Sequence, residues 1–288
     1  MNRLNLGTKM PSPSRVYLVA TLLLAMSVSA ADLVAQRHPS HRDDDDWLPD
    51  CRERSSRRRS VFCEQREIGW RSGAGRSLTV DAGPNGGVSV SGWDRDSVHV
   101  IVKIQAHGDS EDEARELASH IRIQASGGTV GAEGPGFRRG GSWSVSYEIL
   151  VPSHTDLTLD TENGPVGVED VAGVMRLRAV NGPLSLERIA GDVRAHAQNG
   201  PLSVVLEGSR WQGAGLDAET QNGPVVLTVP DGYSANLETG TVNGPMSVDF
   251  PITLMGRIGG RRITTTLGSG GPTVRVVTTN GPAIVRRN

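Results

Sequence analysis

Asn163-Gly164-Pro165, Asn181-Gly182-Pro183, Asn199-Gly200-Pro201, Asn222-Gly223-Pro224, Asn243-Gly244-Pro245 and Asn280-Gly281-Pro282 are six copies of one triplet in a chain of 288 residues. Their asparagines are spaced by 18, 18, 23, 21 and 37 residues. Self-similarity at so short a period predicts stacked structural repeats.

The residues around the triplet alternate. Two residues before the Asn stand Thr161, Ala179, Ala197, Thr220, Thr241 and Thr278. Four before it stand Leu159, Leu177, Ala195, Ala218, Thr239 and Val276, and six before it Leu157, Met175, Val193, Leu216, Leu237 and Val274. Three after it stand Val166, Leu184, Leu202, Val225, Met246 and Ala283, and five after it Val168, Leu186, Val204, Leu227, Val248 and Val285. Apolar or small residues at every second position predict half-buried strands on both sides of the triplet. In the first two repeats Val171 and Ile189, then Gly173 and Gly191, mark a second bend.

Two geometries compete. Asn-Gly between alternating apolar residues is a strong hairpin signal, because both central residues of a type I′ turn need positive φ. The proline opposes it. It would take the closing position of that turn, where an N–H must bond back across, and proline has none. In a stack of coils each strand pairs with its counterpart in the next coil, and the proline sits outside the ladder. The reading is therefore an all-β fold, a β-solenoid of short strands with Asn-Gly-Pro corners. Asparagines at the bends are expected to take the left-handed conformation and to bond one another along the column.

The rest of the chain frames this region. Residues 1–30 have Arg3, Lys9 and Arg15, a short apolar run from Val16 to Val28, and Val28-Ser29-Ala30 as a small-residue cleavage site. That is a signal peptide; the run is too short to span a membrane, and no transmembrane helix is expected in the mature chain. The leader carries no acid, so its removal moves the formal charge from −2 to −5. A mildly acidic product argues against a nucleic-acid partner.

Residues 31–71, with Asp43 to Asp46 and Arg57-Arg58-Arg59, read as a flexible charged arm. Cys51 and Cys63 are the only cysteines, and in an exported protein a pair this close is expected to form a disulfide. Residues 72–288 are expected to form the repeat domain, with Pro84-Asn85-Gly86-Gly87 as the bend of a degenerate first coil. Ser110 to Glu113 is a capping box that predicts a helix over 111–120, near the N-terminal end. Residues 126–141 are glycine-rich and read as a mobile loop, and Gly270-Gly271-Pro272 reads as a degraded turn. At the ends, the helix is expected to cover the first coil through Ala114, Leu117 and Ile121. Arg286 and Arg287 are expected to keep the final strand, Ala283 to Val285, from pairing edge to edge with a second copy.

The search for chemistry finds no phosphate loop, dinucleotide fingerprint or serine nucleophile elbow, so no cofactor is expected. The seven histidines lack ligand spacing, so no metal is expected; His154 and His196 read as surface residues. Outward carboxylates at Asp160, Glu162, Glu169, Glu187 and Glu219 are candidates for glycoside cleavage, but outward positions of such strands are polar anyway. One outward column reads Asp160, Arg178, His196, Glu219, mixed in charge. Trp211, Tyr233 and Phe250, the aromatics of the repeat region that would suit sugar stacking, fall outside the strand columns. No catalytic residue is assigned, and the chain reads as a non-enzyme.

Val145-Ser146-Tyr147-Glu148-Ile149-Leu150-Val151-Pro152, Thr155-Asp156-Leu157-Thr158-Leu159 and the Asn-Gly turns after them resemble the bacterial putative-adhesin family. The resemblance covers residues 76–287. It departs at the residue after Asn-Gly, which in the family is small or β-branched and here is proline throughout. It implies a β-solenoid domain without a common established activity, acting in adhesion. Some similar proteins accompany envelope-stress signalling. The expected function is an exported, non-catalytic envelope scaffold or binding module for an envelope polymer or protein. The alternatives are a periplasmic partner or sensor of an envelope-stress system, and a polysaccharide-processing enzyme.

Overall fold

The computed structural model describes residues 47–53, 59–73, 76–136, 141–249, 256–259 and 261–288. The expected signal peptide and about half of the expected arm, residues 31–46 and 54–58, lie outside the described residues, as does Phe250. The described chain is mostly strand, with two helices, α1 (Trp47–Glu53) and α2 (Glu111–Ser119), and two sheets of ten and eleven strands.

The strand before each triplet and the strand after it lie in different sheets, which excludes a hairpin at these sites. The strands that end in the asparagines form one sheet: Asp156–Asn163, Ala172–Asn181, Ala190–Asn199, Gly215–Asn222, Thr273–Asn280 and Ala235–Asn243, each parallel to the next. The strands that follow form the other: Val166–Glu169, Leu184–Glu187, Leu202–Val205, Val225–Val229, Ala283–Arg287 and Met246–Val248, again parallel. Every alternating apolar column points between the two sheets. Leu157, Met175, Val193, Leu216, Leu237 and Val274 are each at most 2% exposed, so the two-residue period did place the core.

The triplets are held by neighbours rather than by their own turns. The carbonyl of Pro183 accepts from the N–H of Val166 at 2.9 Å, and Pro201, Pro224, Pro282 and Pro245 repeat the bond to Leu184, Leu202, Val225 and Ala283. The proline thus uses the only hydrogen-bonding group it has. Threonines two residues before the asparagine are buried, and Thr161, Thr220, Thr278 and Thr241 donate to the carbonyls of Gly86, Gly200, Gly223 and Gly281. A buried hydroxyl without such an acceptor would be costly. None of the asparagines takes positive φ; among the described non-glycine residues only Asp170 (φ 57°) and Arg188 (φ 50°) do. The left-handed bend expected at asparagine is thus corrected. The bonds run along the stack, so the Asn-Gly unit has no tight turn to close.

The stacking order departs from chain order. Thr273–Asn280 and Ala283–Arg287 lie inside the sheets, between the fourth and fifth repeats of the sequence. Arg286 and Arg287 therefore do not guard an open edge: Arg286 donates to Thr228 at 3.0 Å and Arg287 pairs with Asp231 at 2.5 Å. Gly270-Gly271-Pro272 is not a degraded member of the triplet column. It leads into the last asparagine strand, where Pro272 accepts from the N–H of Asn236. The long spacing before Asn280 is filled by the antiparallel strands Gly256–Gly259 and Arg262–Leu267, the second of which covers the far side of Ala235–Asn243.

At the other end, Ser77–Asp81 and Val88–Trp93 pair in parallel with the first full repeat, one in each sheet. Beyond them the ten-stranded sheet turns antiparallel through Ser142–Pro152, Ser97–Gly108 and Ser60–Arg71. The last of these corrects the reading of residues 60–71 as arm: all twelve residues pair with Ser97–Gly108. Its charge-rich composition hid an edge strand, where polar residues are tolerated. Residues 129–133, read as part of the mobile loop 126–141, are instead a strand that forms a hairpin with residues 122–126 and joins Ser77–Asp81.

Helix α2 starts at the capping box, with the Ser110 side chain accepting from the N–H of Glu113 at 3.2 Å. Ala114, Ala118 and Ile121 are buried, but the helix packs on Ser97–Gly108 and Ser60–Arg71, not on the first full repeat. Cys51 on α1 and Cys63 form the disulfide, with Cα atoms 6.3 Å apart and both residues buried. It pins α1 to the outer face of the antiparallel strands, where Gln105 donates to Cys51 Sγ at 3.1 Å.

Candidate functional site

A parallel ladder in register turns every outward position into a column. On the asparagine sheet, Thr158, Arg176, Arg194 and Asp217 occupy successive rungs, and Asp160, Arg178, His196 and Glu219 occupy the next column. Together they line a shallow groove of about 420 Å³ floored by Leu159, Leu177 and Ala195.

The groove is an ion-pair lattice. Arg178 Nη1 lies 3.4 Å from Asp160 Oδ2, and His196 Nδ1 lies 3.1 Å from Glu219 Oε1. Arg275, on the rung beyond, pairs with Asp217 and reaches Glu219 at 3.2 Å. Burial pulls the Arg275 guanidinium down, but hydrogen bonds and charge from Asp217 and Glu219 outweigh it, leaving its pKa raised. Arg176 donates to the Met175 carbonyl at 2.9 Å and stands 3.5 Å from Asp192. Arg194 is exposed and joins no ion pair among the described residues. The groove thus pairs its acids and leaves one cation open to solvent.

The five candidate acids are not brought together. Asp160 and Glu219 line this groove, Glu162 is exposed beside the first triplet, and Glu169 and Glu187 lie in the other sheet. There they converge on Arg188, which holds Asp170 with two bonds of 2.7 and 3.0 Å, pairs with Glu169, and lies 3.6 Å from Glu187 and 3.9 Å from Glu207. Burial, then Glu207 and Glu187, push the Asp170 carboxyl above its ordinary value. Asp170 and Arg188 are also the two non-glycine residues with left-handed backbone among the described residues, so the salt bridge fastens two strained bends on adjacent rungs. Among the described residues no cluster of His, Cys, Asp and Glu suits a metal ion. His154 is exposed and unclustered.

Trp211 and Tyr233 are 3% and 4% exposed, so neither is available to stack on a ligand. The sequence reading missed Trp93. Val88 and Val90 point inward, Gly92 continues their parity, and Trp93 therefore points outward; the parity was the available signal. Its ring stacks on His99 at 6.4 Å and lies beneath Arg95 at 4.9 Å, beside a polar groove of about 680 Å³ that includes Arg71, Arg76 and Asp96.

No family matches the sequence, and no curated protein matches it. Among solved structures, the chain is similar to a putative cell adhesion protein from Clostridium sporogenes (11% identity, TM-score 0.43), covering 78% of this chain and 100% of that one. A putative adhesin from Bacteroides fragilis matches at 11% identity and TM-score 0.26, covering 78% and 97%. A putative lipid binding protein from Parabacteroides distasonis matches at 10% identity and TM-score 0.29, covering 78% and 96%. These are adhesin-like neighbours in description, and at such identities and TM-scores they assign neither ligand nor partner.

Proposed function

We propose that this chain is an exported β-solenoid with Asn-Gly-Pro corners that serves the cell envelope as a non-catalytic, adhesin-like binding module. The groove on the asparagine sheet is its contact face, and an acidic envelope polymer is its ligand. The observation that carries the reading is Arg194, open to solvent next to Arg176 on the paired rung. Rungs of a sheet repeat at about 4.8 Å, so such columns suit a polymer with regularly placed anionic groups. The acids of the groove are engaged by cations, an arrangement suited to a fixed charge pattern rather than to proton transfer. The buried disulfide supports an oxidising compartment, and cleavage of the leader after Ala30 completes the exported form.

The test is retention of mature protein on beads carrying a carboxylated polysaccharide, with neutral dextran beads as control. Retention is expected on the acidic beads alone, to weaken as salt rises, and to be lost with Arg176→Glu and Arg194→Glu together. Equal retention of that variant sinks the groove as the contact face. Reducing-sugar release from the same polymer would favour the enzyme alternative.

A further inference from the structure

The chain has seven Asn-Gly bonds, counting Asn85-Gly86 with the six triplets. Asn-Gly is the dipeptide most prone to spontaneous deamidation, because glycine leaves its nitrogen unshielded. The glycine nitrogen attacks the asparagine Cγ and loses its proton to solvent base. The new N–Cγ bond closes a five-membered succinimide, and the Cγ–Nδ2 bond breaks to release ammonia. Water then opens the ring to Asp or to isoaspartate.

Neither partner of this dipeptide is free to change. A Cβ on Gly182, Gly200, Gly223 or Gly281 would collide with the glycine carbonyl of the neighbouring rung. The asparagines form a continuous amide ladder: Asn181 donates to Asn163 Oδ1, Asn199 to Asn181, Asn222 to Asn199, Asn280 to Asn222 and Asn243 to Asn280, at 2.8–2.9 Å. The stacking that demands these residues also disarms them, rung by rung.

At Asn181, Asn199, Asn222 and Asn280 both reacting groups are occupied, whereas at Asn163 the side-chain amide is held but the N–H of Gly164 meets no acceptor among the described residues. The N–H of Gly182 donates to the Asn199 carbonyl, Gly200 to Asn222, Gly223 to Asn280 and Gly281 to Asn243, at 2.9–3.1 Å. The side-chain amides of Asn181, Asn199, Asn222 and Asn280 each donate to one neighbour and accept from the other. Cyclisation there must pull the nitrogen out of one bond and rotate the amide out of two. At the far end the ladder stops. Asn243 Oδ1 accepts from no donor and the N–H of Gly244 meets no acceptor among the described residues. At the near end Asn85 is passed over: Asn163 donates to the Pro84 carbonyl instead, at 2.6 Å, and neither the Asn85 amide nor the Gly86 N–H is engaged among the described residues.

We propose that Asn85 and Asn243, at the two ends of the asparagine column, are the readiest deamidation sites of this protein, and that Asn181, Asn199, Asn222 and Asn280 are protected by the ladder. Conversion at Asn243 removes the donor to Asn280 and places a negative charge on the last rung of the asparagine column, next to the short edge strand Met246–Val248. The modification therefore alters the end of the stack and spares its interior.

The experiment is prolonged incubation of the mature folded protein at mildly alkaline pH, with peptide mass mapping of each Asn-Gly site over time. The same protein unfolded in denaturant supplies each site's intrinsic rate. Unfolded, the sites are expected to convert at similar rates. Folded, Asn85 and Asn243 are expected to convert at least about tenfold faster than the four interior sites after normalisation, since several hydrogen bonds must break together at the latter. Interior sites that convert as fast as Asn243, or end sites as slow as Asn199, would overturn the proposal. This inference does not depend on what the groove binds.

Discussion

Gly200 faces the backbone of Gly182 so closely that a Cβ added to it would stand 2.1 Å from the Gly182 carbonyl oxygen. The obstacle is backbone within the ladder, which has little room to shift. Gly200→Ala is therefore expected to destabilise the fold by about 3 kcal/mol. Gly136, which has open space where a Cβ would go, is the control. Gly136→Ala is expected to change stability by about 0.5 kcal/mol or less. Denaturant unfolding of the two variants distinguishes a stacking glycine from a loop glycine.

Leu177 is 3% exposed and lies between Leu159 and Ala195 on the neighbouring rungs, while Arg178 points into the groove. Leu177→Asp buries a carboxylate among apolar groups and is expected to cost several kcal/mol, on the order of 3 or more. Arg178→Asp replaces an exposed ion pair with an exposed like-charge contact to Asp160 and is expected to cost about 1 kcal/mol or less. Equal loss of thermal stability in the two variants would refute the inward assignment of this column.

Tyr147 and Tyr233, the two tyrosines outside the proposed leader, are both buried. Burial, with a smaller contribution from Asp81, pushes the Tyr147 phenol far above its ordinary value; burial pushes Tyr233 up to about 12. Both raised values favour the neutral phenol in the folded state. Their contribution to stability is complete below about pH 10, where the unfolded phenol is also neutral. It declines as pH climbs from there through the folded values. The native protein is expected to show no tyrosinate absorbance near pH 10 and then to gain it together with loss of structure. A simple titration near pH 10 with the fold intact would contradict this.

Cys51 and Cys63 form a small apolar cluster with Val61, flanked by Trp47 and Leu48. Replacing both cysteines by serine is expected to lower stability by up to ~3 kcal/mol. It should release α1 from the antiparallel strands and leave the β-sheet circular-dichroism signal in place. Peptide mapping without reductant checks the bond itself; two free thiols after export would remove the basis of this prediction.

Much of the ladder was legible in the sequence because its register is local. An alternation of two residues fixes which side chains point inward, and a constant distance from each asparagine fixes which residues meet. Leu177 could face only Leu159 and Ala195 once the triplets were aligned. The mixed outward column Asp160, Arg178, His196, Glu219 followed from the same alignment, and it lines the groove. Proline after Asn-Gly was enough to reject the hairpin.

Tertiary structure alone decided which rung sits beside which. Every triplet presents the same donors and acceptors, so Thr273–Asn280 fits equally well beside several neighbours as far as its own residues show. Its place between Gly215–Asn222 and Ala235–Asn243 depends on Arg262–Leu267, which occupies the other side of Ala235–Asn243. The strand Ser60–Arg71 was hidden for a related reason: its partner Ser97–Gly108 is distant in sequence, and an edge strand needs no strict apolar alternation. The conformation of the asparagines was likewise not local. Their bonds go to the next rung, and a residue's neighbours along the chain cannot say that the next rung is there.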